Sequence, residues 1–131
     1  MVKFRIEKDS LGNIKVPSDK LWGAQTQRSV QNFKIGVGKF HFQEDFIKAL
    51  AFQKKAAALT NAQLKLMSNK HALMIGKVCD EIIYGKLNDH FPLVIWQTGS
   101  GTQINMNFNE VIANKSNLLL GSKLPSNKPL H

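Results

Sequence analysis

The chain has 131 residues, of which 43% are hydrophobic and 21% charged, and a formal net charge of +9. That is one domain's worth of a globular protein with a modest core, and no apolar run approaches the ~20 residues that a membrane-spanning helix needs. The excess charge is almost all lysine, spread along the chain without an arginine block, zinc-ligand spacing or aromatic-rich strand motif. A nucleic-acid partner is therefore not expected, and attraction of small anions is the milder use of the same field.

In chain order, Met1 to Lys8 has neither a signal-peptide apolar core nor a transit-peptide pattern. With a single cysteine, Cys79, this fits a reducing cytoplasm. Val2, Phe4 and Ile6 alternate with Lys3, Arg5 and Glu7, and Asp9-Ser10-Leu11-Gly12-Asn13 supplies turn chemistry before Ile14-Lys15-Val16. A β-hairpin over residues 2–16 follows, ended by Pro17. Gln25 to Phe33 reads as a short helix anchored by Val30 and Phe33. Gln25, Thr26 and Arg28 on it face either a polar site, a subunit boundary or solvent. Gly36 and Gly38 mark a loop from Ile35 to Gln43, where His41 between two phenylalanines reads as a packing residue.

Two longer helices come next. The first spans about Glu44 to Met67, with Phe46, Leu50, Ala57 and Leu64 on one face. Ser68 or Asn69 caps the second, whose buried stripe is Ala72, Ile75, Cys79, Ile82 and Ile83. Gly85 stands where a left-handed terminating residue belongs. Cys79 is expected to be a small core residue, and His71 and His90 to be structural, because no second ligand or triad partner is spaced to join them.

The most informative stretch is Phe91 to Asn114. An apolar run, Leu93-Val94-Ile95-Trp96, leads into a glycine-bracketed hydroxyl loop, Thr98-Gly99-Ser100-Gly101-Thr102. The glycines permit positive φ, so that N–H groups and hydroxyls converge on one small anion. A helix starting at Thr102 or Gln103 adds its free N–H groups behind the loop, giving a carboxylate or phosphate seat. The same residues also suit a plain turn and helix cap. On that helix Ile104, Phe108, Val111, Leu118 and Leu119 share a face, and Met106, Ala113 and Leu120 form a second stripe. Five asparagines, 105, 107, 109, 114 and 117, disfavour a helix by roughly 0.5 kcal/mol each relative to alanine. Such a load implies either hydrogen-bonding work or a solvated polar face.

Trp96-Gln97-Thr98-Gly99-Ser100-Gly101-Thr102-Gln103-x-Asn105-Met106-Asn107-x-Asn109-Glu110-Val111-Ile112-Ala113-Asn114 closely resembles a signature region of class II fumarate hydratases, in the fumarase/aspartase superfamily. Val16-Pro17-x-Asp19-Lys20-x-Trp22-Gly23-Ala24-Gln25-Thr26-Gln27-Arg28-Ser29, Lys54-Lys55-Ala56-Ala57-Ala58 and the Leu-Gly-Ser-Lys and Lys-Pro-x-His segments near the end extend the resemblance to most of the chain. Lys39-Phe40-His41-Phe42 departs from it, where the family usually has a Met-Pro dipeptide.

The resemblance implies a mainly α fold with a small N-terminal β-hairpin, residues 1–131 forming the N-terminal domain of a longer enzyme. It implies reversible hydration of fumarate to L-malate, a step of the tricarboxylic acid cycle, in a cytoplasmic homotetramer without metal or organic cofactor. Ser100, Gly101 and Thr102 would bind a substrate carboxylate, and Lys128 and His131 match part of an accessory dicarboxylate site. A frayed terminal histidine is the simpler reading of His131. The proton-handling histidine, the catalytic serine and further substrate-binding residues would lie beyond His131, leaving no catalytic residue in these 131 and no activity in the chain alone. Aspartate ammonia-lyase shares much of the motif but typically has alanine at the place of Ser100 and serine at that of Gln103; a non-catalytic assembly fragment is the other alternative.

Overall fold

The computed structural model describes residues 2–125, 129 and 130. Strands β1 (Phe4–Asp9) and β2 (Gly12–Pro17) form an antiparallel hairpin in which Arg5 pairs with Val16 and Glu7 with Ile14. Pro17 is the last residue of β2, opposite Phe4, and ends the strand. The hairpin forms where the alternation places it, yet β1 turns its charged face inward. Val2, Phe4 and Ile6 are exposed, whereas Glu7 is buried and Arg5 lies beside Ile14 and Val16. Four acceptors explain the inversion. The Arg5 guanidinium donates to Glu7 Oε1 (2.7 Å) and to the carbonyls of Pro17 (2.9 Å), Lys20 (2.7 Å) and Trp22 (2.6 Å). A buried cation so satisfied closes the chain between the hairpin and the first helix.

Helix α1 (Ala24–Asn32) buries Ala24, Thr26 and Ser29, while the expected anchors Val30 and Phe33 are half-buried. Arg28 leaves α1 to grip the hairpin turn, donating to both carboxylate oxygens of Asp9 (2.8 and 2.7 Å) and to the Gly12 carbonyl (3.0 Å). Gln25 joins it, donating to Asp9 Oδ2 at 2.7 Å.

Helix α2 (Glu44–Gln63) is shorter than its apolar content suggests and is rotated by about one residue. Ile47, Ala51 and Ala58 are buried, while Phe46 and Leu64 are exposed. Apolar residues occur on several faces of α2, so the choice of face is made by what packs against it. Helix α3 (Asn69–Ile83) behaves as its pattern implies: Ser68 caps it by accepting from the His71 N–H (3.2 Å), and Ala72, Cys79 and Ile82 are buried. Gly85 follows in the left-handed region at φ 73°. Helix α4 (Thr102–Leu119) packs against α1 and α3, placing Ile104, Phe108, Val111 and Ile112 in the core. Phe108 stacks at a tilt on Phe91 with ring centroids 4.5 Å apart. Leu118 and Leu119, expected on the buried face, are exposed, while Ser116 and Asn117 of the same turn are fully buried. Among the described residues no helix is long and apolar enough to cross a membrane.

Candidate functional site

The hydroxyl loop is held from behind. The Ile95 N–H donates to the Phe40 carbonyl (3.1 Å), His41 bridges to Val94, and the Phe40 and Trp96 rings meet edge to face with centroids 6.2 Å apart. His41 itself is exposed rather than packed, and its Nε2 accepts from the Gly38 N–H (3.0 Å). The segment unlike the family's usual pattern thus braces the strand that enters the loop.

From Thr98 the chain turns sharply, with the Gly101 N–H on the Thr98 carbonyl (3.4 Å). Gly101 takes φ 74°, a conformation that a side chain would strain, and the helix begins at once. The first intrahelical bond runs from the Asn105 N–H to the Gly101 carbonyl (3.1 Å). The N–H groups of Thr102, Gln103 and Ile104 therefore have no acceptor within the helix, and no side chain among the described residues caps them. Thr102 is the first helical residue, so the cap reading of its hydroxyl does not describe this fold. Ser100 Oγ lies 3.1 Å from Thr102 Oγ1 and 3.3 Å from Thr98 Oγ1, and Thr98 donates to Gln103 Oε1. The loop is exposed, and the segment from Phe91 to Asn109 contains no titratable side chain. Chemically this is an uncharged seat of hydroxyls and helix-end N–H groups suited to an anion.

The asparagines of α4 fix that helix in place. Asn107 donates to the His90 carbonyl (3.0 Å) and Asn114 to the Leu21 carbonyl (2.7 Å). Asn117 exchanges two bonds with the Leu130 backbone, donating at 2.8 Å and accepting at 2.9 Å. Asn105 and Asn109 accept from Lys54 Nζ at 2.6 and 2.8 Å. The hydrogen-bonding reading of these five residues holds, and the solvated-face reading does not. Burial holds the Lys54 ammonium below its usual pKa. No local signal in the sequence marked this role, because apolar residues of α2 fall on several faces.

Glu110 was assigned no role of its own from the sequence. Its carboxylate accepts from the N–H groups of Gly23 (2.9 Å), Gln25 (2.7 Å) and Thr26 (3.0 Å), capping α1 from α4. A cleft of about 420 Å³ runs beside it, between the hairpin and α4. Its carboxylates are already engaged by Arg5, Arg28 or backbone N–H groups, and it lies away from the hydroxyl loop, so the loop is the better candidate. His90 is structural, its Nδ1 accepting from the Leu21 N–H (3.1 Å). Cys79 is fully buried and its thiol is pushed up to about 12. Lys128 and His131, the accessory-site candidates, lie outside the described residues.

The family model described as lyase matches residues 12–131, which include the asparagine-pinned helix and the Ser-Gly-Thr turn, and the chain belongs to that family. Its relatives are class II fumarate hydratases. It is 56% identical over 122 residues to the enzyme of Bacillus cereus, covering 93% of this chain and 26% of that one. It is 51% identical over 130 residues to that of Haemophilus ducreyi, covering 99% and 28%. Among solved structures, a class II fumarase from Schistosoma mansoni matches 98% of this chain and 27% of its own, at 43% identity and a TM-score of 0.91. The chain thus spans about a quarter of the length of these relatives.

Proposed function

We infer that residues 1–131 are the N-terminal domain of a fumarate hydratase, catalysing reversible addition of water to fumarate to give L-malate. The observation that carries this is identity of 50–57% to class II fumarate hydratases over more than nine-tenths of the chain. In this reading Ser100, Gly101 and Thr102 seat one carboxylate of the substrate, next to the three unpaired N–H groups at the start of α4. Removing the proton beside that carboxylate builds an aci-carboxylate, whose added charge the hydroxyls and helix-end dipole stabilise more than they do the substrate. With no titratable side chain between Phe91 and Asn109, the proton is taken by a group from elsewhere in the assembled enzyme. The 131-residue chain alone is accordingly expected to be inactive. By resemblance the working enzyme is a cytoplasmic homotetramer. Ser100, Gln103 and Trp96 favour it over aspartate ammonia-lyase.

The test is an assay of the complete gene product for malate formation from fumarate, with ammonia release from aspartate measured in parallel. Malate formation at enzymatic rates without ammonia release is the expected result. Ammonia release, or neither activity, contradicts the reading.

A further inference from the structure

Each serine or threonine hydroxyl has one proton to donate. At this loop that count fixes a direction. Thr98 donates to Gln103 Oε1, and a carbonyl oxygen can only accept. Thr98 has then spent its proton, so in the 3.3 Å pair with Ser100 it is Ser100 that donates. Ser100 has now spent its own, so in the 3.1 Å pair with Thr102 the donor is Thr102. The three hydroxyl protons all run inward, Thr102 to Ser100 to Thr98 to Gln103. The three hydroxyls therefore show an approaching anion lone pairs, and the N–H groups at the start of α4 are the donors that remain.

A carboxylate is held best when the hydroxyls donate to it as well. One rotation supplies such a donor: if the Gln103 amide turns over, its Nε2 donates to Thr98, Thr98 then donates to Ser100, Ser100 to Thr102, and the Thr102 proton points outward. Only a side chain ending in both a donor and an acceptor can hold the hydroxyl chain in either direction. No titratable side chain lies in the loop or in the first two turns of α4; the charged group reaching those turns is Lys54, on Asn105 and Asn109. We propose that Gln103 is a positioning residue whose amide sets the direction of the Thr98–Ser100–Thr102 hydroxyl chain and turns over when a carboxylate is seated. The proposal rests on the reading of Ser100–Thr102 as a carboxylate seat.

The experiment uses the complete enzyme and measures kcat/KM for fumarate. The variants are Gln103→Met, Thr98→Val, their double, and Gln103→Glu, with Ser100→Ala and Thr102→Ala beside them and a thermal melt for each. Gln103→Met and Thr98→Val cut the same chain at adjacent links. Each should lower kcat/KM about tenfold, the double should fall no further than the lower single, and the melts should stay near wild type. Gln103→Glu, an acceptor only when ionised, should regain activity relative to wild type as the pH falls, rising above Gln103→Met once the carboxyl carries a proton to donate. Wild-type kcat/KM in Gln103→Met, a double variant that falls by the product of the singles, or a Gln103→Glu variant that never exceeds Gln103→Met overturns the proposal. Losses at Ser100 and Thr102 with none at Thr98 and Gln103 remove it and leave the seat standing. No loss at any of the four removes both.

Discussion

The carboxylate of Glu110, midway along α4, lies across the start of α1 where Gly23 has no side chain: a Cβ there would stand 2.9 Å from Glu110 Oε1. Two elements more than eighty residues apart are joined by a helix cap supplied from outside the helix. Three N–H groups converge on one carboxylate, so charge and hydrogen bonding act together with the positive end of α1. Glu110→Ala should cost about 2 kcal/mol in urea unfolding, and Glu110→Gln less. Gly23→Ala should also destabilise, and the two losses should not add, because the alanine displaces the carboxylate that Glu110→Ala removes. Additive losses would mean that Gly23 and Glu110 act separately.

The inverted hairpin makes a second test. Arg5→Met strands three backbone carbonyls and the buried Glu7. It should cost about 3 kcal/mol. Phe4→Thr, at a side chain 57% exposed, should stay within about 0.5 kcal/mol of wild type. Unfolding midpoints that rank these two variants the other way would show that β1 presents its apolar face to the core.

Acid should weaken the fold in two separate windows. Burial holds His90 below the ordinary histidine value of 6.5, and its Nδ1 must stay unprotonated to accept from Leu21. The folded state therefore binds fewer protons than the unfolded one below pH 6.5, and stability contributed by neutral His90 is lost as pH falls through its lowered pKa. Asp9 is held below 3.8, first by its hydrogen bond from Arg28, so its contribution is present above that value and lost on further acidification. Unfolding midpoints should fall between pH 7 and 5 in the wild type, and much less in His90→Asn. An equal fall in both would assign the first window to another group.

Cys79 gives a reporter of the core. Fully buried, with its thiol pushed up to about 12, it should resist a thiol reagent at pH 8 in the folded chain and react at once in denaturant. Rapid labelling under native conditions would place it at the surface.

How far the sequence carried differs from element to element. The hairpin, the capped α3 with its stripe, Gly85 and the start of α4 were legible because the signals are local: alternation, a serine cap, a terminating glycine. The face of β1 was not, because Arg5 is satisfied by carbonyls of residues 17, 20 and 22, which reach it only when the chain folds back. The face of α2 was missed for the same reason, since the acceptors of Lys54 lie 51 and 55 residues away. Ser100 and Thr102 were singled out by the glycine bracketing and the resemblance, and the structure brings their hydroxyls together. The links to Thr98 and Gln103 depend on where one turn of backbone places four side chains, which no spacing rule reports.

The central claim is that Ser100 and Thr102 seat the reacting carboxylate, and kinetics of Ser100→Ala and Thr102→Ala in the complete enzyme test it most directly. Neither hydroxyl caps α4, so melting temperatures should be nearly unchanged while kcat/KM for fumarate falls roughly ten- to a thousandfold. The variants should weaken a nitronate analogue of the aci-carboxylate more than they weaken malate. Unchanged kcat/KM with a lowered melting temperature would contradict the account and leave the loop a structural turn.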